Sequence, residues 1–217
     1  GEETPPTEQL EIAIADTLVN KMAIQQLAKQ YDVELDQERV EQYYQDVIAQ
    51  EGEEAFVQNI LETFGWTVDE FKARIVESIV LALQMTEAVL ADADTQQPRR
   101  DIIDGAYARI AGGEDFATVA KDVHAGFEGI ESDMGYVKAS IIPDTWASQV
   151  NALEEGQVTE IIELPEGYAM FKLEEKIIAG EDSQLHLLSI TIPKVTLEEV
   201  ADAYLETVEV KRYVGEQ

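Results

Sequence analysis

The sequence predicts an α+β protein with an all-α N-terminal half and a mixed α+β C-terminal half. Three observations carry this prediction. Apolar residues recur at helical spacing through the first ninety or so residues, whereas two later runs, residues 167–173 and 185–192, have the β-rich composition of strands. Between these regions, residues 92–100 are polar, contain Pro98 and lack a hydrophobic period, which places a boundary there. A chain of 217 residues with 45% hydrophobic content can bury one large core or two modest ones.

Four helices are predicted in the first half. The first runs from Glu8 to about Tyr31, and its apolar positions require burial against another element. The stripe consists of Ile14, Leu18, Met22 and Leu27. Capping and stop signals then separate the helices, namely Thr7, Asp36, Gly52, Gly65 and a capping box at residues 67–70. The fourth helix is expected to continue to about Val89.

The second half alternates between the two periodicities. Helices are predicted at residues 102–110, from residue 115, at residues 146–153, and from a capping box at residues 196–199 through Leu205. Strands are predicted at residues 134–137, 167–173, 185–192 and 208–214. The turn-like residues 179–182 are expected to join the second and third of these strands as an antiparallel hairpin.

The charge excludes some classes of partner. A formal net charge of -30, from 45 acidic and 15 basic residues, disfavours nucleic acid and anionic lipid, which both require clustered Lys and Arg. Three interpretations stay open: a solvated surface that resists aggregation, an electrostatic preference for basic polypeptides, and adaptation to high salt.

Several kinds of chemistry find no support in the residues. The chain has no cysteine, so a disulfide or a thiolate site is impossible. We find no stretch of about 18 apolar residues, no calcium loop, no P-loop and no dinucleotide motif, and we expect neither a metal nor a cofactor. The opening GEETPP is expected to be the start of a mature or trimmed chain, and earlier removal of a signal or lipid anchor stays open.

Four segments of the second half occur in a family-specific order. They are GEDFATVA at residues 113–120, DMGY at 133–136, ALEEGQVT at 152–159 and GYAMFKL at 167–173. In order and spacing they resemble the segments of parvulin-type peptidyl-prolyl isomerases. The resemblance implies an FKBP-like α+β domain, which we place at residues 99–217.

The first half resembles the helical chaperone domain that precedes parvulin modules in SurA-like and PrsA-like folding factors. The similar segments are LVNKMAIQQLA at residues 18–28, VELDQERV at 33–40 and FGWTVDEFK at 64–72. We place this domain at residues 1–95. Aromatic residues that are candidates for an apolar client-binding surface, or else for the helical core, are Tyr43, Tyr44, Phe56, Phe64, Trp66 and Phe71.

One departure from the family concerns strand order. Parvulins begin with a central strand, yet here the polar segment leads directly into a helix. Residues 187–193, LLSITIP, resemble that missing strand and lie after the family's last one. The resemblance therefore predicts a circularly permuted domain whose opening strand has moved to residues 185–193, with an unrelated extra hairpin or strand swapping between protomers as the alternatives.

The resemblance also indicates which catalytic positions are degenerate. Rotation about an X-Pro amide faces a barrier of roughly 18–20 kcal/mol, which an apolar cleft and oriented polar groups lower. Parvulins carry two histidines on their central strands, and the matching positions here are Ala169 and Ser189. The family's Cys or Asp corresponds to Gly126. We therefore expect isomerase activity to be weak or lost.

The resemblance implies that the proline ring would be held by Met134, Ile142 and Trp146, although each of the three fits an ordinary core position as well. His124 lies in the loop that matches a conserved Ser and is a candidate to face the cleft, whereas His186 is expected to be a half-exposed strand residue, with a relocated catalytic group as the alternative. His186 lies three residues before Ser189, so strand alternation predicts that it faces the opposite side of the sheet.

The resemblance thus predicts an extracytoplasmic folding factor that is periplasmic, exposed at the cell surface or secreted. Its partners would be unfolded or nascent secreted polypeptides, including those with X-Pro bonds, and not nucleic acid. Contact with a membrane is expected only through a removed anchor, and a homodimer stays open. The alternatives are an active peptidyl-prolyl isomerase and a structural or interaction module without chaperone activity.

Overall fold

The computed structural model describes residues 7–178 and 183–211, and contacts divide the chain into two compact units. The helical unit comprises Gly1–Ala91 and Thr196–Gln217, and the sheet unit comprises Asp92–Val195. The division into domains at residues 1–95 and 99–217 stays a prediction. The compact units differ from it because the C-terminal helix belongs with the N-terminal helices.

The helical unit follows the predicted caps closely. Its helices are α1 Thr7–Gln30, α2 Gln37–Glu51, α3 Glu53–Phe64, α4 Val68–Phe71, α5 Glu77–Ala91 and α9 Leu197–Thr207. Asp36 accepts hydrogen bonds from the amides of Glu38 and Arg39, and Gly65 ends α3 in the left-handed conformation at φ 68°. Capping boxes begin α4 and α9, as predicted. The predicted fourth helix is divided by a π-helical turn at Lys72–Val76, which links α4 to α5.

Two apolar clusters hold the helical unit together. One contains Leu27, Ala28, Met85, Val89 and Ala201, so it joins α1, α5 and α9. The other joins α2 to the π turn and α5 through Val40, Val76 and Val80. Because α9 supplies a buried alanine to the first cluster, the end of the chain is part of this core.

The sheet unit is a four-stranded antiparallel sheet in the order β1-β4-β3-β2. Its elements are α6 Ala93–Ala111, α7 Phe116–His124, β1 Asp133–Lys138, α8 Asp144–Asn151, β2 Ile162–Leu164, β3 Gly167–Ile177 and β4 Gln184–Pro193. The α+β class is confirmed, and β3 pairs with β4 in the same chain over the predicted hairpin. The predicted turn at residues 179–182 lies outside the described residues.

Helix α6 begins earlier than the sequence predicts. It starts at Ala93 instead of near Ile102, with Asp92 as N-cap and Pro98 inside it. The side chain of Gln96 is buried, and it both donates to the carbonyl and accepts from the amide of Val195, at 3.0 and 2.8 Å. The expectation of a non-helical polar segment is wrong because a polar residue anchors this turn, which hydrophobic periodicity does not detect.

The predicted strand at residues 208–214 is also wrong for the part that the structure describes. Val208 is extended, yet residues 208–211 form no ladder with another strand. Residues 212–214 lie outside the described ranges. A β-rich composition is not enough for a strand when no partner strand supplies hydrogen bonds.

The two faces of the sheet carry separate cores. On one face, α6 and α7 pack onto Tyr168, Met170, Ile190 and Ile192. On the other face, α8 covers a cluster of strand residues from β2, β3 and β4. Its strand members are Ile162, Ala169, Phe171, Leu173, Leu185 and Leu187. Two of the predicted catalytic positions, Ala169 and Ser189, lie on this second face, which we call the α8 face.

Candidate functional site

The two positions that match the family's histidines lie on adjacent central strands. Ala169 on β3 is opposite Thr191 on β4, and Ser189 on β4 is opposite Phe171 on β3. Ala169 and Ser189 are therefore diagonal neighbours on the α8 face.

The Ala169 position is apolar and closed. Its side chain is fully buried within the cluster that includes Trp146 and Ile162. A methyl group can neither donate nor accept a hydrogen bond, so this position supplies no polar group to a twisted amide.

Ser189 is buried and is occupied by local contacts. Its amide donates to the carbonyl of Ser132 at 2.7 Å, and its hydroxyl donates to the same carbonyl at 3.5 Å. The hydroxyl oxygen of Ser132 is itself buried without a hydrogen-bond partner. The amide and the hydroxyl of Ser189 are therefore both engaged by the backbone that leads into β1.

The residues predicted to hold a proline ring fall into two environments. Trp146 and Ile142 are buried, at 9% and 6% exposure, and Trp146 stacks on Phe171 with ring centroids 4.4 Å apart and an interplanar angle of 12°. Met134 on β1 is 40% exposed. Phe171 covers one face of the indole ring, and of the three predicted residues only Met134 is more than 9% exposed.

Gly126 lies in the turn that follows α7. Its amide donates to the carbonyl of Val123 at 3.3 Å. A Cβ atom built on Gly126 would lie 3.7 Å from that carbonyl oxygen, an ordinary van der Waals contact. The backbone thus accommodates a Cβ atom at this position, so the glycine is not required to avoid a clash at Cβ.

His124 binds a backbone amide of β4 in the part of this strand that does not pair with β1. Its Nε2 atom accepts the amide of Thr191 at 3.1 Å, and burial lowers the pKa of the imidazole. An acceptor at Nε2 requires the neutral ring with its proton on Nδ1. The Nε2 lone pair of His124 is therefore engaged by the backbone of β4.

His186 points away from the α8 face. It lies in register with Tyr136 on β1 and Glu175 on β3, and its ring stacks on Tyr136 with centroids 4.9 Å apart. Its Nε2 atom lies 2.9 Å from Oδ1 of Asp133. The alternation rule thus gave the correct side for this residue.

Sequence reasoning missed an open groove in the helical unit. The groove has a volume of about 390 Å³ and lies between α1 and α5. Its lining includes Thr17, Asn20, Ile24, Leu35, Ile79 and Leu81. The four-residue spacing of apolar residues along α1 indicates an apolar helix face, but it does not reveal a groove beside α5.

The expected burial of that stripe is wrong for three of its four members. Ile14, Leu18 and Met22 are 52%, 55% and 61% exposed, and only Leu27 is buried. Of the candidate aromatic residues in this unit, Tyr44 is buried, whereas Phe64 is 52% exposed and stacks on Trp66. Helical spacing therefore identified an apolar face correctly but not its covering.

The described residues contain neither a membrane-spanning helix nor a cluster of metal-binding side chains. Within residues 7–178 and 183–211, no helix is long and apolar enough to cross a membrane. In the same ranges, no group of three or more His, Asp or Glu side chains is arranged to hold a metal ion.

Comparison with known proteins supports the resemblance drawn from the motifs. Residues 79–175 match the model of the rotamase family, the PPIC-type PPIase domain. The chain is 31% identical over 110 residues to the chaperone SurA of Pseudomonas putida, a match that covers 49% of this chain and 25% of that protein. It is 35% identical over 71 residues to the chaperone SurA of Pseudomonas aeruginosa, over 32% of this chain and 17% of that protein.

These matches confirm the recognition of a parvulin-type domain with SurA relatives. The matched part spans about a quarter or less of the length of these relatives. No solved structure matches the chain.

Proposed function

We propose that this chain, which carries a parvulin-type domain and is related to SurA chaperones, is a protein-folding factor that binds unfolded polypeptides. Its peptidyl-prolyl isomerase activity is weak or lost. Binding requires only accessible apolar surface, whereas isomerisation requires polar groups aimed at the amide. The two requirements fall on different compact units.

The observation that carries this proposal is the apolar surface of the helical unit. Leu18 and Met22 on α1 are more than half exposed, and Ile79 on α5 is 36% exposed beside the groove. Burial of about 400 Å² of a client, at roughly 25 cal/mol per Å², offers about 10 kcal/mol before ordering costs are subtracted. Such a surface supports weak and reversible binding of many sequences.

The holdase activity is tested by light scattering from an unfolded model protein that aggregates in the presence of the full chain. We expect L18S combined with M22S to reduce the protection. The matched control is Leu61→Ser, because Leu61 is 60% exposed on α3. Equal protection by the double variant and the unaltered chain contradicts a role for the α1 surface.

Weak or absent isomerase activity follows from the positions that match the family's histidines. Ala169 lacks a polar atom, and Ser189 bonds to the backbone at Ser132. A protease-coupled assay on a short X-Pro peptide tests this part. A strong rate that M134S abolishes, at a position 40% exposed, establishes the alternative of an active isomerase.

We further propose that the sheet is a permuted parvulin sheet in which β4 supplies the opening strand. Two supporting observations concern the sheet: β4 is a central strand, and it is antiparallel to β3. The third is that the family match begins in helix α5, so its first residues, 79–91, do not form an opening strand. The test is an experimental structure superposed on an unpermuted parvulin. A β4 that falls outside the family's sheet supports the extra hairpin, and sedimentation analysis checks strand swapping in a dimer.

An extracytoplasmic location and secreted clients are part of the same proposal, since they rest on the resemblance to SurA-like and PrsA-like factors. Cell fractionation of the source organism tests the location. If the chain neither suppresses aggregation nor accelerates isomerisation, the structural or interaction module is the better description.

A further inference from the structure

Two neighbouring β-bulges separate the part of the sheet that helices cover on both faces from a part that they leave open on one face. On β1 the shift lies between Asp133 and Gly135, and on β3 it lies between Leu173 and Glu175. The β1 shift lies between the partners of Leu188 and Leu187, and the β3 shift lies between the partners of Leu187 and His186, so the two bulges border the same residue of the central strand. Bulges increase the local twist and redirect side chains, and they are frequent near binding sites.

Beyond the bulges, the face opposite to α8 belongs to neither helix-packed core. The cluster under α6 and α7 includes strand residues from Leu188 to Ile192 but none from residues 184–186. Tyr136 and Ile177 are 50% and 41% exposed on this part of the sheet. The sheet therefore presents an aromatic and apolar surface that the described helices leave open.

At its centre is a stacked pair of rings between two carboxylates. Tyr136 stacks on His186, and the Tyr136 hydroxyl donates to Glu175. On the other side, Asp133 accepts from His186 and from the amide of Gly135, and these contacts lower the pKa of the Asp133 carboxyl. We call Tyr136, His186, Asp133 and Glu175 the aromatic platform.

Three carboxylates surround the platform, and one exposed lysine, Lys138, lies two residues after Tyr136 on β1. Asp133 is ionised at neutral pH, and Glu174 and Glu175 are exposed at the β3 bulge. Lys172 is paired with Glu174, and the ammonium group of Lys176 donates to the carbonyl of Asn151. Cations are attracted both to the faces of aromatic rings and to carboxylates.

We propose that the aromatic platform binds an arginine or lysine side chain of an extended, positively charged polypeptide. The cation lies against the exposed part of Tyr136, with Asp133 and Glu175 as carboxylate partners. The net charge of -30 adds long-range attraction for the same class of partner. This inference does not depend on the groove of the helical unit, and it holds even if that groove binds no client.

The test measures fluorescence anisotropy of labelled, unstructured peptides of equal length that carry Arg, Gln or Glu at the same positions. We expect the Arg peptide to bind more tightly than the Gln peptide and the Glu peptide to bind least. Y136A is expected to weaken the binding of the Arg peptide about two- to fivefold, the size of one exposed cation–π contact. Y136F keeps the ring and is expected to bind the Arg peptide like the unaltered chain.

A matched pair of carboxylate variants separates the platform from general acidity. The sheet unit has a second tyrosine–glutamate hydrogen bond, from Tyr107 to Glu160 at 2.8 Å. E175Q and E160Q therefore remove the same charge and leave an amide oxygen that can still accept from the tyrosine. We expect only E175Q to weaken binding, and an equal effect of both variants, or equal affinity for the Arg and Gln peptides, overturns the proposal.

Discussion

In the sheet unit the apolar side chains at the centre of β3 and β4 are buried on both faces, whereas in the helical unit three residues of one apolar stripe on α1 are more than half exposed. A sheet between two helical layers leaves little apolar surface for a ligand. A helix covered on only one part of its apolar face keeps surface for binding. The comparison associates a closed apolar core with the centre of the sheet and the proposed apolar client surface with the helices.

The largest expected effect is on the stacked pair of the sheet unit. Trp146→Ala removes a ring that lies against Phe171, so we expect the free energy of unfolding to fall by about 3–5 kcal/mol. Urea denaturation measures the change. A loss below about 1 kcal/mol indicates that the indole ring is a wall of an open cleft instead of core.

Adjacent isoleucines provide the control for that measurement. Ile142 is 6% exposed and Ile141 is 69% exposed. Ile142→Ala is expected to cost about 2–5 kcal/mol, and Ile141→Ala to stay within about 0.5 kcal/mol.

A histidine restored at the family's position is expected to destabilise the fold. Ala169 is fully buried among apolar side chains, so Ala169→His overfills the α8 face by an imidazole and costs about 1–3 kcal/mol. Ala152→His, at an exposed position, is the control. If A169H leaves the unfolding midpoint unchanged and raises the isomerase rate, the α8 face has space that the packing does not reveal.

A smaller effect is expected from the pH dependence of His124. Because burial lowers its folded pKa, the unfolded chain binds more protons below the ordinary imidazole value of about 6.5. The stabilisation is complete above that pH and is lost as the pH falls through the folded pKa. We expect a loss of about 1 kcal/mol, the net contribution of one hydrogen bond.

The matched variant for this measurement is His124→Gln, which keeps an acceptor for the Thr191 amide but does not titrate. The difference in unfolding free energy between the two proteins is measured between pH 7 and pH 5. Parallel curves for both proteins contradict the assignment of this effect to His124.

The smallest effect on stability is expected in the helical unit. Leu18→Ser, at a position 55% exposed, should change the free energy of unfolding by no more than about 0.5 kcal/mol. Leu27→Ala on the same helix, at 2% exposure, should cost about 2–5 kcal/mol. Comparable losses at both positions mean that the α1 stripe is covered in solution, which removes the contrast between the two units.

The sequence by itself determined the local structure, because caps and turns are decided by neighbouring residues. Asp36, Gly65 and the capping box at Thr67 define helix limits without reference to the rest of the chain. The strand composition of β3 and β4 likewise indicated their antiparallel pairing. The family motifs, which are local as well, indicated that Ala169 and Ser189 match the positions of the family's two histidines.

Only the tertiary structure decided which apolar residues are covered and which polar residues are engaged. Periodicity shows that a helix has an apolar face, but burial of that face depends on a partner from elsewhere in the chain, as Leu27 and Leu18 illustrate. Trp146 became core because Phe171 lies against it, and Gln96 continues a helix because Val195 binds its side chain. Each of these outcomes depends on a contact between residues far apart in sequence.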